Sequence, residues 1–266
     1  MVLEETADEE PVAAARTAAE IRSVGQQQGS VVVPVGSVEQ HGKHLPVATD
    51  TLLADAIARF GARRVSAELP VLLTPPIWSG VSSHHMDFGG TISLGVETMI
   101  AVLSDVAESV LDNGFDAVVF LNGHGGNKSV VGTAVSKIGA AFPDAQILGV
   151  TYFDLAAPFI DDIRDSDSGG MAHGGEFETS LLLHLRPDLV RMQRAEATSL
   201  EEPYDRSTSD MFETGPLAVY RSFLEYSESG AVGDPSLASA EKGENLYERL
   251  GREIETLLVA VHEHNR

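Results

Sequence analysis

Apolar runs of strand length alternate with amphipathic segments of helical length over most of this chain. Continuous apolar residues predict buried strands at 30–35, 71–77 (interrupted by Pro75 and Pro76), 116–121 and 145–152, with a shorter strand at 91–94. Apolar positions three and four residues apart predict helices at 12–24, 51–65, 96–111, 127–142, 176–185 and 238–262. Residues 198–235 are polar and irregular. Alternating strands and helices predict an α/β fold with a mostly parallel sheet flanked by helices.

Composition limits the class of protein. The chain has 266 residues, 43% of them hydrophobic, and no low-complexity linker, so we expect a single domain over residues 1–266. No apolar run approaches the ~20 residues that a membrane-spanning helix needs. The N-terminus is acidic rather than basic and apolar, which argues against a secretory signal and predicts a cytoplasmic protein.

The charge balance is strongly acidic. There are 40 acidic residues against 18 Lys and Arg, which gives a net charge of −22. A field of that sign repels phosphate backbones, so nucleic acid is not an expected partner. Acid-rich, lysine-poor surfaces resemble those of proteins from salt-accumulating organisms, where a Debye length of ~3 Å at molar salt screens self-repulsion. We therefore expect a halophilic protein that loses stability when salt is removed.

The lack of cysteine narrows the possible metal ligands to His, Asp and Glu. Residues 36–50, directly after a buried strand, carry four such groups. Glu39 and His41 are alternate residues, whose side chains point the same way in an extended loop. Asp50 precedes a predicted helix, so it is either an N-cap or a ligand whose two oxygens can bridge two metals. His44 fits a structural role equally well.

Two further segments carry the same ligand chemistry. His124 lies in a glycine-rich loop between a strand and a helix; this is not a P-loop, because Asn127 rather than glycine precedes Lys128. Its glycines would let a metal centre approach the backbone. His173 and Glu178 flank the start of the helix at 176–185. A buried Glu178 needs a metal or histidine partner, although acids in a first helical turn are also favourable alone.

The segment Ser82-Ser83-His84-His85 forms a polar loop. No Gly-x-Ser-x-Gly elbow is present, so a serine nucleophile is not indicated. We expect the loop to line a substrate pocket, with Ser82, Ser83 and His85 as binding residues. Adjacent His84 and His85 are expected to face different ways.

At these motifs the sequence resembles the creatininase (creatinine amidohydrolase) family. The matching segments are 34–46 with Asp50, 121–127 and 173–180, with weaker matches at 80–91 and 230–235. The resemblance implies a three-layer α/β fold with a two-metal site, assembled as a homohexamer. It also implies that Glu39 and His124 hold one metal, that His41 holds the other, and that Asp50 bridges them. His173 matches the family's catalytic histidine, which handles protons.

Three positions depart from the family pattern. A glutamate that completes the second metal site in creatininase is replaced by Gly126, and Glu178 or a water is expected to fill the gap. The tryptophans that enclose creatinine are absent; their positions correspond to Phe153 and about Gly169, and we expect Phe153 to contact substrate. Gly89 replaces a proline that is usual in its loop.

These observations predict a metal-dependent amidohydrolase that cleaves a non-peptide C–N bond, in a cyclic amide or a formamide, of a small-molecule substrate. The resemblance implies two divalent ions per chain, zinc and/or manganese, with iron as an alternative. The metals would activate a water, His173 would deliver a proton to the leaving nitrogen, and Glu178 would be a ligand or assist catalysis. The alternatives are an archaeal formamide deformylase of flavin and deazaflavin synthesis, a mycofactocin-type peptidase, a dinuclear phosphohydrolase, and a non-catalytic metal-binding protein.

Overall fold

A four-stranded parallel sheet lies at the centre of the computed structural model, which describes residues 11–199, 204, 206–208, 210–213 and 215–265. The strand order is β2-β1-β3-β4. The strands are β1 (Ser30–Val35), β2 (Val71–Leu73), β3 (Ala117–Asn122) and β4 (Gln146–Thr151). The predicted α/β fold with a mostly parallel sheet is confirmed.

Helices cover both faces of this sheet. Those of the described residues are α1 (Ala18–Gly25), α2 (Thr49–Val65), α3 (Val96–Asp112), α4 (Lys128–Ala141), α5 (Glu176–Leu185) and α6 (Ala240–His264). Alternate strand residues point to opposite faces, so Val32 packs with α2, α5 and α6, whereas Val31 and Val33 pack with α3 and α4. Within the described residues, none of the helices is long and apolar enough to cross a bilayer.

Two of the predicted strands differ from the structure. The strand expected at 71–77 ends at Leu73, because Pro75 and Pro76 lack the N–H groups that a ladder requires. The strand expected at 91–94 is wrong, since this segment contributes only isolated bridges. The chain between β2 and α3 is therefore free to form loops around the carboxyl ends of the strands.

The first helix and the irregular segment also differ from expectation. α1 begins at Ala18 rather than at residue 12, because Thr17 and Glu20 form a capping box. The segment at 198–235, where it is described, is irregular except that β6 (Val232–Gly233) pairs antiparallel with β5 (Met171–His173). This second, two-stranded sheet holds the segment that ends in His173.

Candidate metal centre

The loops that follow β1 and β3 leave the sheet side by side. The strands are parallel neighbours and Val35 pairs with Asn122, so both loops start at the same edge. Asn127 ties this edge together: its Nδ2 donates to the Gly36 carbonyl at 3.1 Å, and its Oδ1 accepts from the Val81 N–H at 2.9 Å. Three chain segments are thereby held around one point.

Glu39, Asp50 and His124 form the first group of possible ligands, which we call the Glu39 half. Glu39 Oε2 lies 3.2 Å from His124 Nε2, and Asp50 Oδ2 lies 3.0 Å from His124 Nδ1. The three side chains are 1%, 2% and 4% exposed. Asn122 fixes the backbone of His124, since its Oδ1 accepts from the His124 N–H at 3.1 Å and its Nδ2 donates to the carbonyl at 2.8 Å. Imidazole and carboxylate ligands suit a borderline divalent metal.

His41, His173 and Glu178 form the second group, which we call the His41 half. His41 Nε2 lies 2.9 Å from Asp50 Oδ1 and 3.7 Å from Glu178 Oε1. Asp50 therefore directs one oxygen at each half. Glu178 Oε2 accepts from the Gly174 N–H at 2.6 Å, which leaves Oε1 facing His41.

Asp50 does not cap α2, contrary to one of the two alternatives. The helix begins at Thr49 after Ala48, and Asp50 lies in the first turn, where no side-chain cap is formed.

The two acids in the first turn of α5, Glu176 and Glu178, have different surroundings. Glu176 accepts from the N–H groups of residues 165 and 166 and pairs with Lys242, so it has a structural role.

The oxygen and nitrogen atoms of this cluster are suited to binding a cation. Glu39 Oε2 and Asp50 Oδ2 are buried without a hydrogen bond of acceptable geometry, which is costly for a carboxylate. His41 Nδ1 donates to the Glu39 carbonyl at 3.1 Å, so its Nε2 directs a lone pair at Asp50 and Glu178. A lone pair aimed at carboxylate oxygens is favourable only with a proton or a metal ion between them.

The pKa values reflect the same charge balance. Burial would lower the pKa of His41, but Asp50 and Glu178 outweigh burial and raise it well above its usual value. Burial would also lower the pKa of His124, yet Glu39 and Asp50 raise it. Burial opposes ionisation of the acids, but His124 holds the pKa of Glu39, and His41 that of Asp50, below the usual range. Protonated His41 and His124 thus supply the positive charge that divalent ions would supply in a metal-bound protein.

Gly126 stands where the family resemblance implies a glutamate, and its surroundings leave no room for a side chain. A Cβ atom there would lie 2.4 Å from His124 Nε2 and 2.5 Å from the Val81 carbonyl oxygen. A side chain at this position would therefore require a different loop conformation. Glu178 is the acid that faces His41 instead.

His173 contacts both halves. Its Nδ1 lies 3.7 Å from Glu39 Oε1, and its ring centroid lies 4.2 Å from that of His41. Its Nε2 donates to the Gln40 carbonyl at 2.6 Å. Burial and the charge of His41 lower the pKa of His173 to about 4, despite the nearby acids. The ring is therefore uncharged at neutral pH, with a lone pair on Nδ1, the nitrogen that does not face the Gln40 carbonyl.

A cavity of about 390 Å³ opens onto these groups. His85 and Phe153, two of the four predicted substrate-binding residues, line it. Ser82 and Ser83 do not: the buried hydroxyl of Ser82 lies 2.5 Å from that of Ser37, and Ser83 is exposed elsewhere. The Ser82 hydroxyl also lies 3.1 Å from His124 Nε2, so it supports a lining residue rather than lining the cavity itself. That the two serines bind substrate stays a prediction.

Further residues complete the cavity without having been predicted. The ring centroid of Phe223 lies 4.7 Å from that of His173. Lys128 places its ammonium 4.7 Å from the centroid of Phe153 and pairs with Asp154 at 2.7 Å. Phe223 comes from the segment without periodicity, so no sequence pattern indicated it. Gly169, expected near the pocket, is not part of the lining.

Two buried polar side chains beside the centre belong to neither half. His44 Nε2 lies 3.0 Å from Thr179 Oγ1, and burial together with the charge of His41 lowers the pKa of His44 to about 4. This is the structural role left open for it. The Tyr152 hydroxyl is buried without a partner, and burial raises its pKa. An orphaned hydroxyl cannot be recognised from sequence.

Comparison with known proteins identifies the family of this chain. The family described as creatininase, creatinine amidohydrolase, matches residues 14–258. The chain is 37% identical over 224 residues to a mycofactocin precursor peptide peptidase of Mycobacterium tuberculosis (strain CDC 1551 / Oshkosh), covering 82% of this chain and 80% of that protein. It is 28% identical over 237 residues to creatinine amidohydrolase of Pseudomonas putida, covering 82% and 84%.

The fold also matches that of a solved structure. The solved structure described as "Creatininase Mn" has a TM-score of 0.80 at 25% identity, covering 93% of this chain and 97% of its own. The family match includes every residue of the Glu39 half and of the His41 half. The resemblance inferred from the motifs is confirmed: this chain belongs to the creatininase family, whose members are hydrolases acting on C–N bonds.

Proposed function

We propose that this protein is an amidohydrolase that works with two divalent ions, one in each half of the centre. The observation that carries the proposal is Asp50, whose oxygens lie 2.9 Å from His41 and 3.0 Å from His124. Such a carboxylate can bridge two ions, because each oxygen has its own lone pairs. Zinc, manganese and iron fit the ligand types. The related structure named for manganese favours that metal.

The ligand sets of the two ions would share Asp50. Glu39 and His124 would hold one ion with it, and His41 and Glu178 would hold the other. Glu178 would replace the family acid that is missing at residue 126. Its Oε1, 3.7 Å from His41, supports this role, because its other oxygen is already occupied by a backbone N–H.

His173 would move the proton during hydrolysis. Bound divalent ions would supply Lewis acidity, which activates a water near neutral pH and stabilises charge on the amide oxygen. His173 is unprotonated at neutral pH and its Nδ1 faces Glu39, so it can take a proton from the attacking water. It then returns that proton to the leaving nitrogen as the C–N bond breaks. The Phe223 ring packs edge-on against that of His173, with centroids 4.7 Å apart.

A non-peptide amide is the first candidate substrate. The cavity of about 390 Å³ lies within the usual size range for small-molecule sites. The only tryptophan of the chain, Trp78, is 53% exposed and does not line the cavity. A flat creatinine ring therefore lacks the aromatic enclosure of creatininase and should be a poor substrate, whereas cyclic amides of other shape and formamides remain suitable.

A peptide bond is the second candidate. The curated relative with a peptidase name is 37% identical, against 28% for creatinine amidohydrolase. Lys128 is the only Lys or Arg in the cavity lining among the described residues, and an ammonium suits the carboxylate at the end of a peptide. The same scarcity of basic groups disfavours a phosphohydrolase.

Metal analysis with a substrate panel tests the proposal. The panel contains cyclic amides, formamides, short peptides, creatinine and phosphate esters, given to zinc-loaded and manganese-loaded protein. We expect two ions per chain and hydrolysis of one amide class that a chelator abolishes. Turnover of phosphate esters alone would contradict the reaction class, and metal binding without any turnover would support a non-catalytic role.

The remaining parts of the proposal rest on the sequence. A homohexamer is implied by the family resemblance, and light scattering of the purified protein tests it. A halophilic character follows from the net charge of −22, and unfolding measured at low and at molar salt tests it. A cytoplasmic location stays a prediction from the acidic N-terminus.

A further inference from the structure

Gln40 lies between two candidate ligands, Glu39 and His41, and its side-chain amide has only one possible orientation. Its Oε1 accepts from the Gly42 N–H at 2.9 Å, and its Nε2 donates to the Gly230 carbonyl at 2.8 Å. A backbone N–H only donates and a carbonyl only accepts, so the amide cannot be flipped. The second hydrogen of Nε2 therefore also has a fixed direction.

That second hydrogen has two nearby histidine nitrogens, His85 Nδ1 at 2.8 Å and His173 Nε2 at 3.3 Å. His173 Nε2 lies 2.6 Å from the Gln40 carbonyl oxygen, which only accepts, so it carries a proton and the hydrogen of Gln40 goes to His85. Gln40 Nε2 lies 2.8 Å from His85 Nδ1, so Nδ1 accepts the bond and carries no proton. The proton of the neutral ring is then on Nε2, which lies 3.3 Å from Glu39 Oε1. His85, only 1% exposed, thus turns the N–H side of its ring towards the carboxylate of Glu39.

The backbone of Gln40 fixes the proton of His173 in the same way. His173 Nε2 lies 2.6 Å from the Gln40 carbonyl oxygen, which only accepts, so Nε2 carries the proton. The other nitrogen, Nδ1, presents a lone pair 3.7 Å from Glu39 Oε1. The rings of His85 and His173 stack with centroids 4.5 Å apart, yet one presents an N–H to Glu39 and the other a lone pair.

We propose that Gln40 and His85 are positioning residues of this centre. Gln40 fixes the ring protons of both histidines; His85 then holds Glu39 in its orientation as a ligand, and His173 keeps Nδ1 free for proton transfer. The roles of Glu39 and His173 rest on the proposed function, but the assignment of the ring protons does not. Hydrogen-bond partners of metal ligands commonly set ligand orientation in this manner.

The competing account makes His85 a metal ligand. Glu39, His85 and His173 offer ligand atoms within 4.8 Å of one another, so distance alone allows an ion among them. Ligation needs a lone pair on His85 Nε2, which would move the ring proton to Nδ1. There it would face the Nε2 hydrogens of Gln40 at 2.8 Å. The hydrogen bonds of Gln40 thus disfavour His85 as a metal ligand, although the distances allow it.

Neutron diffraction from zinc-loaded crystals exchanged into D₂O tests the assignment directly. We expect deuterium on Nε2 of both His85 and His173, and none on either Nδ1. Deuterium on His85 Nδ1, or a zinc ion bound to its Nε2, would overturn the proposal. Because the wild-type protein is used, the result does not depend on whether a variant folds.

Substitutions of His85 test the consequence for metal binding. His85→Phe keeps the ring but removes the donor, and we expect zinc affinity at the Glu39 half to fall ~10–100-fold, as for other partners of metal ligands. His85→Gln, which can donate to Glu39 and accept from Gln40, should restore most of this affinity. His184→Phe is the matched control, because the His184 ring packs beside Tyr247 and outside the cavity lining, and it should keep the zinc affinity of the wild-type protein. Equal losses in His85→Phe and His85→Gln would contradict the positioning role.

These readouts separate the inference from the proposed function. Neither readout uses turnover. A protein that binds zinc but hydrolyses no amide would contradict the proposed function. The positions of the ring protons and the zinc affinities of the His85 variants would still test the positioning role. If amide hydrolysis is found, His85→Phe should lower kcat, and His85→Gln should recover it. A loss of kcat that His85→Gln does not recover would count against the positioning role.

Discussion

The two halves of the centre use the same residue types but differ in how the chain supports them. The Glu39 half stands at the ends of the paired strands β1 and β3, and His85 Nε2 lies 3.3 Å from Glu39 Oε1. The His41 half depends on Glu178, which comes from α5 and lies 3.7 Å from His41. It also lacks the family acid at Gly126. The ends of the parallel strands thus position the Glu39 half, whereas the His41 half depends on a separate helix. We therefore expect tighter metal binding in the Glu39 half.

Asp50→Ala should have the largest effect, because it removes the group that both halves share. We expect both ions to be lost, as measured by elemental analysis after dialysis. Asp55→Ala is the matched control, since Asp55 lies on the same helix but pairs with Arg59, and it should keep both ions. An Asp50→Ala protein that still holds two ions per chain would show that the halves are independent.

His173→Ala should separate chemistry from metal binding. Both ions should remain, while kcat falls by ~10²–10⁴-fold, the usual contribution of a positioned acid or base. Steady-state kinetics on the best amide substrate, paired with metal analysis, measures this. His184→Ala, on α5 with its ring beside Tyr247, should leave kcat unchanged. Loss of an ion from His173→Ala would make His173 a ligand instead.

Glu178→Gln should weaken the His41 half alone, because an amide is a poorer ligand than a carboxylate. We expect one ion to bind at least ~10-fold more weakly, with the other unchanged, in a chelator competition. Glu176→Gln is the contrasting variant: Glu176 pairs with Lys242 and backbone N–H groups, so its loss should lower thermal stability and spare both ions. Two full-occupancy ions with reduced activity in Glu178→Gln would mean that Glu178 only orients its neighbours.

Local patterns in the sequence were enough to single out the candidate ligands that the structure groups in the Glu39 half. Glu39 and His124 lie in the loops that follow the buried strands β1 and β3, Asp50 lies at the start of the helix after the first of these loops, and parallel strands bring such loops together. The sheet itself was predicted because strands covered on both faces are apolar throughout. The second, two-stranded sheet was not predicted, since β5 and β6 depend on a pairing between segments about 60 residues apart in the sequence and carry no alternation of their own.

The supporting residues could not be predicted, because their roles depend on distant partners. Gln40 lies within the best motif of the chain, yet its orientation is set by Gly230, which is 190 residues away. Ser82 was placed in the pocket because of its residue type, whereas the fold turns its hydroxyl towards that of Ser37. Phe223 belongs to a segment without periodicity. Residue types identify chemistry, but only the tertiary fold determines what each side chain faces.

The smallest expected effect concerns His44, which packs beside the His41 half and contributes to the pH dependence of the free energy of unfolding. Burial and His41 lower its pKa from 6.5 to about 4, so on acidification the unfolded chain takes up this proton before the folded protein does. The contribution of His44 to the free energy of unfolding is therefore complete above pH 6.5 and is lost as the pH falls to about 4. In His44→Gln this part of the pH dependence should be missing. Urea titrations between these pH values, with chelator present, measure the difference; parallel curves for the two proteins would contradict it.

Anomalous diffraction from zinc-loaded crystals tests the two-ion centre most directly. The account predicts two anomalous peaks per chain, one among Glu39, Asp50 and His124 and one among His41, Asp50 and Glu178, with the Asp50 carboxylate between them. It also predicts that the peak in the His41 half is lost first when zinc is withdrawn by a chelator. A single peak, or a peak bound to His85 Nε2 in place of either site, would contradict it.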